Sequence, residues 1–246
     1  MAKKAALGAR LYVHGNDLSG DVGEISSMRM GRGLLDVTAI NKSAHERIVG
    51  VRDGELTFNS FFNDATAQEH AVLKPIPTTD MVVMFSQSTT LGDYGFAVIA
   101  KQMEYGLTRS IDGGVVRPSI FRANGYSLED VRMLTAGIRT DTAATNGAST
   151  DYGAVSTAFG LSAYLEVTAF TGTDVTVKLQ DSADDAAWAD ITGGGFTQIT
   201  SGPTAERIET SLTATIRRYV RAVTVTTGGF TSVSFVVGFH RYEVVI

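Results

Sequence analysis

The sequence predicts a mainly β protein, on three observations: short apolar runs that alternate in and out, glycine-marked turns between them, and almost no helical periodicity. Of its 246 residues, 43% are apolar, 26 are Gly and only 4 are Pro. β-Branched and aromatic side chains suit a pleated, half-buried surface, and glycine supplies the tight turns. A chain of this length buries one large core or two smaller ones.

The first strand is expected over residues 9–14, closed by the turn Gly15-Asn16-Asp17. A second is expected over Leu34–Ile40, with Leu35, Val37 and Ala39 on one face and Asp36 and Thr38 on the other. Asn41–Asp53 is charge-dense and polar, and reads as a long loop. Glu55–Phe62 alternates clearly, with Leu56, Phe58 and Phe62 opposite Glu55, Thr57 and Asn59. One helix follows over 65–73, with Asp64 placed to cap its start and Pro75 and Pro77 placed to end it. So short a helix must dock on a sheet to be stable.

Met81–Ser86 is continuously apolar, as for a strand buried on both faces, and Tyr94–Gln102 is similar. Val115–Arg122 and Leu128–Leu134 flank the turn Asn124-Gly125. From 136 to 157 the composition shifts to Ala, Thr, Ser and Gly, which reads as a linker or loosely held arm. Beyond it, Leu165, Val167 and Ala169 share a face, and so do Val175, Val177 and Leu179 across the turn Thr171-Gly-Thr173. Arg217–Val225 and Val233–Phe239 complete a set of short strands at turn-bounded spacing, the pattern of an antiparallel sandwich. Three parts are therefore expected: 1–135, a linker over 136–157, and a sandwich over 158–246.

Residues 1–135 carry 14 Lys and Arg against 15 Asp and Glu, and residues 136–246 carry 7 against 11. Neither part has the basic surplus needed to grip nucleic acid by its phosphates. Cysteine is absent, which excludes disulfides and thiolate metal sites. The basic start of the chain lacks the apolar run of a signal peptide, and no stretch approaches the roughly 20 apolar residues of a membrane span. The expectation is a soluble, cytosolic chain with no membrane partner.

No catalytic constellation is visible, and no enzyme activity or cofactor is expected. His14, His45, His70 and His240 do not pair at metal-ligand spacing. Gly31-Arg-Gly33-Leu-Leu-Asp36 lacks the third glycine and the helix of a dinucleotide loop. Asp181-Ser-Ala-Asp184-Asp185 groups carboxylates in a turn without the ordered ligand pattern of a calcium loop, so a solvated turn is favoured over a metal site. Trp188 is either a sugar-contacting ring or a plug at the sandwich edge. The knot Arg217-Arg218-Tyr219-Val220-Arg221 is split between two strand faces. That suits salt bridges between subunits, or with Glu206 and Glu209, better than a DNA groove.

The order of elements resembles the tail tube proteins of long-tailed bacteriophages. A short first strand leads to Gly33-Leu-Leu-Asp-Val-Thr-Ala-Ile40, then a polar loop, then Gly50-Val-Arg-Asp-Gly54 opening a strand that ends in Phe61-Phe62. A single helix and a stretch containing Arg117-Pro118-Ser119 follow. Val167–Val177, Leu179–Asp184 and Trp188 resemble the Ig-like β domain appended to some tail proteins. The resemblance implies a tail-tube-type sandwich or barrel followed by a decorating sandwich, in a virion. It implies six-fold rings that stack, contacts with other tail proteins, and DNA as a passing cargo. Residues Lys42, His45, Glu46, Arg47 and Arg52 would then reach the adjacent ring, and Asp36, Thr38, Glu55, Thr57 and Asn59 would face an acidic or neutral lumen. The two strands carrying them would find their partners in neighbouring copies. Trp188, Asp181 and Asp184 stand as a possible surface-binding set on the sandwich.

Overall fold

The computed structural model describes residues 7–109, 111–153 and 158–243. In chain order, β1 (Arg10–Val13) and β2 (Asn16–Asp17) precede two long strands, β3 (Val22–Asp36) and β4 (Arg47–Phe61). A short helix, α1 (Glu69–Leu73), leads to β5 (Met81–Ser86), β6 (Tyr94–Tyr105), β7 (Thr108–Arg109), β8 (Val115–Ala123) and β9 (Glu129–Met133). Then come β10 (Arg139–Asp141), β11 (Thr150–Asp151), β12 (Leu161–Gly172) and β13 (Thr176–Ser182). The chain continues through β14 (Ala189–Gly195), β15 (Thr204–Glu209), β16 (Tyr219–Val225) and β17 (Phe230–Arg241). The mainly β, antiparallel expectation holds.

One sheet runs β15-β12-β17-β9-β6-β5-β1-β2, and a second, of four strands, runs β11-β16-β13-β14. The branch point is β6. Its start pairs with β9, and through β9 with β17; its end pairs with β8, which leads to β4 and β3. Strand β5 lies along the other edge of β6 in strict alternation. Met81, Val83 and Phe85 enter one apolar cluster, and Val82 and Met84 enter another. The doubly buried strand is thus correctly anticipated. Closeness is enforced at Gly95, where a Cβ would sit 2.2 Å from the Phe85 carbonyl oxygen.

Three cores result. The first packs Leu11, Phe58, Leu73, Val98 and Phe121 beneath α1. The second fills the sandwich between the two sheets with Leu165, Val177, Leu179, Phe235 and Phe239. The third joins the two halves, with Tyr12, Met84, Val131 and Met133 against Tyr164 and Val236. Strand β12 is therefore buried on both faces over Leu161–Val167. The turn at Thr171–Thr173 does not close a hairpin. It carries the chain from one sheet to the other, since β12 pairs with β15 and β17 while β13 pairs with β14 and β16.

Of residues 136–157, expected as a linker or arm, 154–157 lie outside the described residues and 136–153 are held in place. Strand β10 pairs with β17, β11 pairs with β16, and Arg139 grips Asp141 at 2.6 Å while donating to the carbonyl of Ala222. Small side chains suited this stretch to lie along sheet edges. The helix is shorter than expected. Asp64 does not cap it, and the first turn's donor, the Glu69 N–H, is taken by Asp21 Oδ2 at 3.0 Å.

A buried polar network also ties the halves together. Glu129 on β9 receives Arg207 Nη2 at 3.2 Å, the Ser162 hydroxyl at 2.7 Å, the Tyr242 hydroxyl at 2.9 Å, and the Tyr164 hydroxyl. Burial opposes ionisation of Glu129, but Arg207 and these donors outweigh it and hold its carboxyl below the usual range.

Candidate assembly interface

Strands β3 and β4 form a ribbon about 50 Å long at the usual rise per residue. They are registered from Val22↔Ser60 to Asp36↔Arg47, with three irregularities. This corrects the expectation that both strands lack partners within one molecule, because they are each other's partners. No strand is expected over Val22–Gly33 from the sequence, so the first partner of each strand goes unseen. That stretch is exposed on most positions and rich in Arg, Met and Gly, so it shows no in/out alternation.

What the ribbon lacks is a second neighbour. Strand β4 meets β8 only over Glu55–Phe61, and β3 pairs with nothing but β4 among the described residues. The ribbon leaves the body at Gly54, where a Cβ would lie 2.6 Å from the Leu128 nitrogen, so only glycine permits that approach. Beyond it, apolar side chains stand in solvent: Leu34 is 62% exposed, Val49 60% and Val51 85%, with Met30, Leu35 and Ile48 also exposed. An exposed edge this long, with apolar residues along it, is a template for pairing with another chain.

The faces follow from the register. Near the body, Leu56 and Phe58 point into the first core, and Glu55, Thr57 and Asn59 point the opposite way, as their alternation requires. Asn59 bonds Glu24 and Ser26 at 3.2 and 3.1 Å. Glu55 sits between Arg122 and Arg29, the latter 3.7 Å away. This face is polar and of mixed sign, with Arg29 and Arg122 standing beside the acidic and neutral side chains expected there.

The tip is more compact than a long loop. Strand β4 begins at Arg47, so Arg47 and Arg52 are strand residues and the connection spans only 37–46. Thr38 is not on a strand; its hydroxyl accepts the Glu46 N–H at 2.9 Å. Asp36 ends β3, and the Thr38 hydroxyl and N–H hold its carboxyl below the usual range while His45 pairs with it at 2.9 Å. Lys42 pairs with Glu46 at 2.7 Å. The side chains of Lys42, His45 and Glu46 are thus engaged inside the connection.

On the sandwich, the expected surface set is dispersed in role. Asp181 is buried and clamps Arg217 through Nε at 2.8 Å and Nη2 at 2.6 Å. Asp184 caps its own turn, and the N–H groups of Ala187 and Ala186 and the Ser182 hydroxyl hold its carboxyl at about 2. Trp188 is half-buried beneath Arg221, whose guanidinium lies 4.1 Å from the ring centroid. The arginine knot is absorbed by Asp181, Asp151 and Gln180, not by Glu206 and Glu209. No group of three or more His, Asp or Glu among the described residues is placed to hold a metal.

No protein-family model and no curated protein matches the sequence. Among solved structures, the chain is similar to the Dit protein of phage SPP1, described as a hub of the adsorption apparatus. The identity is 13% over 95% of this chain and 99% of that one, with a TM-score of 0.32. It is similar to a chain of a native gene transfer agent particle, with 13% identity over 52% of this chain and 98% of that one and a TM-score of 0.37. A chain of the phage p2 baseplate matches at 10% identity over 96% and 99%, with a TM-score of 0.32. At these values none of the likenesses bears on function.

Proposed function

We propose that the chain is a non-enzymatic structural subunit that assembles with copies of itself through the β3–β4 ribbon. The observation that carries this is the unpaired edge of β3, lined by exposed apolar side chains on a ribbon that projects from an otherwise well-packed body. Closing such edges against neighbouring copies removes both the unpaired backbone groups and the exposed apolar surface. In the form this reading takes, six copies make a ring, rings stack into a phage tail tube, and the polar face carrying Glu55, Thr57 and Asn59 lines a bore for passing DNA. The tip at Lys42, His45 and Glu46 reaches an adjacent ring, and other tail proteins join at the tube's ends.

In this arrangement residues 158–246 are a sandwich carried on the outside of the tube. Strands β9 and β17 and the third core join it to residues 1–135. Purified protein should form rings or tubes in negative-stain micrographs as concentration rises. Protein that stays monomeric when concentrated, or when seeded with tail components, would end the reading.

A further inference from the structure

We propose that the crevice between the ribbon and the end of β17 receives carboxylate groups from a second copy of this chain. This inference rests on the assembly reading above and names the chemistry of one of its contacts.

In the ribbon's register, Arg32 and Arg52 are direct cross-strand partners, so their side chains leave the same face side by side. Like charges placed directly opposite destabilise a strand pair. Neither arginine makes an ion pair or side-chain hydrogen bond among the described residues. The contrast lies on the opposite face, where Arg29 and Arg122 flank Glu55.

Arg52 also lines a cavity of about 400 Å³ together with Arg132 and Arg241, and a neighbouring one of similar size is lined by Arg32, Arg52 and His240. Arg132 and Arg241 lie 4.6 and 4.7 Å from the Tyr152 ring centroid. Arg132 spends its donors on the carbonyls of Gly92 and Asp151. Arg241 is buried, and among the described residues its Nε and Nη1 have no acceptor and its nearest carboxylate, Glu243, is 4.0 Å away. The Tyr152 hydroxyl beside them is likewise buried without a partner.

The carboxylates on this side are few. Asp130 and Glu243 line the first cavity. Glu129 nearby is saturated by Arg207, Ser162, Tyr164 and Tyr242. The crevice therefore presents guanidinium groups in excess of the acids that face them. Guanidinium forks match carboxylates in geometry as well as charge. A second copy supplies such groups, since the chain has a net charge of −5. A strand added along β3 would also bring a neighbouring copy's surface against this crevice.

The test measures the concentration at which assembly begins, by light scattering and negative-stain microscopy. It compares the wild type with Arg32→Gln/Arg52→Gln and Arg32→Glu/Arg52→Glu. Both positions lie on the ribbon away from the packed cores, so thermal unfolding of the monomers should not fall for either pair, which separates misfolding from lost contacts. The glutamine pair should raise the threshold about tenfold and the glutamate pair further, with a weaker salt dependence than wild type. A glutamate pair that assembles at the wild-type threshold overturns the inference while leaving the assembly reading intact. So does inorganic phosphate that raises the wild type's unfolding temperature without touching its threshold, because the crevice is then a small-anion site. A wild type that never assembles overturns the assembly reading itself, and this contact with it.

Discussion

Arg207→Met should be among the most damaging single substitutions in the chain. The Arg207 and Glu129 side chains are only 4% and 7% exposed, and the arginine also lies 3.7 Å from the Tyr126 ring centroid. Removing it strands a buried carboxylate that burial alone would push towards its neutral form. Breaking one partner out of a buried pair costs about 3–5 kcal/mol. At about 2–4 °C per kcal/mol for a chain of this size, unfolding should fall by about 6–20 °C. The assay is thermal unfolding by circular dichroism at neutral pH.

The pH dependence supplies a second readout. In the wild type the folded carboxyl of Glu129 lies below its usual range, so its contribution is present above the ordinary glutamate pKa and lost as pH falls through the folded value. In the variant the partner is gone and burial raises the folded pKa, so protonation relieves the penalty. The gap between variant and wild type should therefore narrow as pH drops from neutral into the ordinary glutamate range. Glu129→Gln/Arg207→Met should recover most of the loss, because the amide oxygen still accepts from Ser162 and Tyr164 without a charge. A single variant within 1 kcal/mol of wild type, with an unchanged pH profile, would refute the claim that this pair locks the halves together.

Other outcomes follow from the same structure. Glu166 is wholly buried, accepts the Gly15 N–H and has a second oxygen with no partner, and burial raises its pKa well above the usual range. Its folded form holds a proton that the unfolded form releases, so wild-type stability should decline as pH rises from the ordinary glutamate range towards that raised value. Glu166→Gln should flatten that decline in a denaturant series across pH. Gly95→Ala places a methyl against the Phe85 carbonyl and should cost about 1–3 kcal/mol in chemical unfolding. Trp188→Ala should cost about 0.5–1 kcal/mol through the lost Arg221 stacking, leave assembly unchanged, and alter no signal on a glycan array. Glycan binding lost with Trp188 would instead make the sandwich a recognition module.

Strands with one clear face, and strands apolar on both, were legible in the sequence. Met81–Ser86, Val115–Ala123 and Phe230–Arg241 fall where alternation or continuous apolarity placed them. Strand β3 was not, because neither of its faces is covered within one chain, and pattern reading detects burial more than it detects strands. Arg52 was misassigned to a loop for the same reason. The junction was invisible for a different cause. Glu129, the Ser162 and Tyr164 pair, Arg207 and Tyr242 come from four separate stretches of the sequence, and nothing local predicts their meeting. One signal was available in Glu166, a carboxylate between Leu165 and Val167. It lies on the face of β12 opposite Leu165 and Val167, and the third core covers that face.

The ribbon itself can be removed cleanly. Arg29 and Glu55 are cross-strand partners at the point where β8 takes over, so replacing residues 30–54 with Asn-Gly should close a short hairpin on an intact body. Sedimentation velocity, run on both proteins across a concentration series, compares their assembly directly. Large ring or tube species for the full chain, and a folded monomer at every concentration for the shortened one, is the expected result. Equal assembly by the two proteins would contradict it, since the β3 edge beyond Arg29 would then have no part in joining one copy to the next.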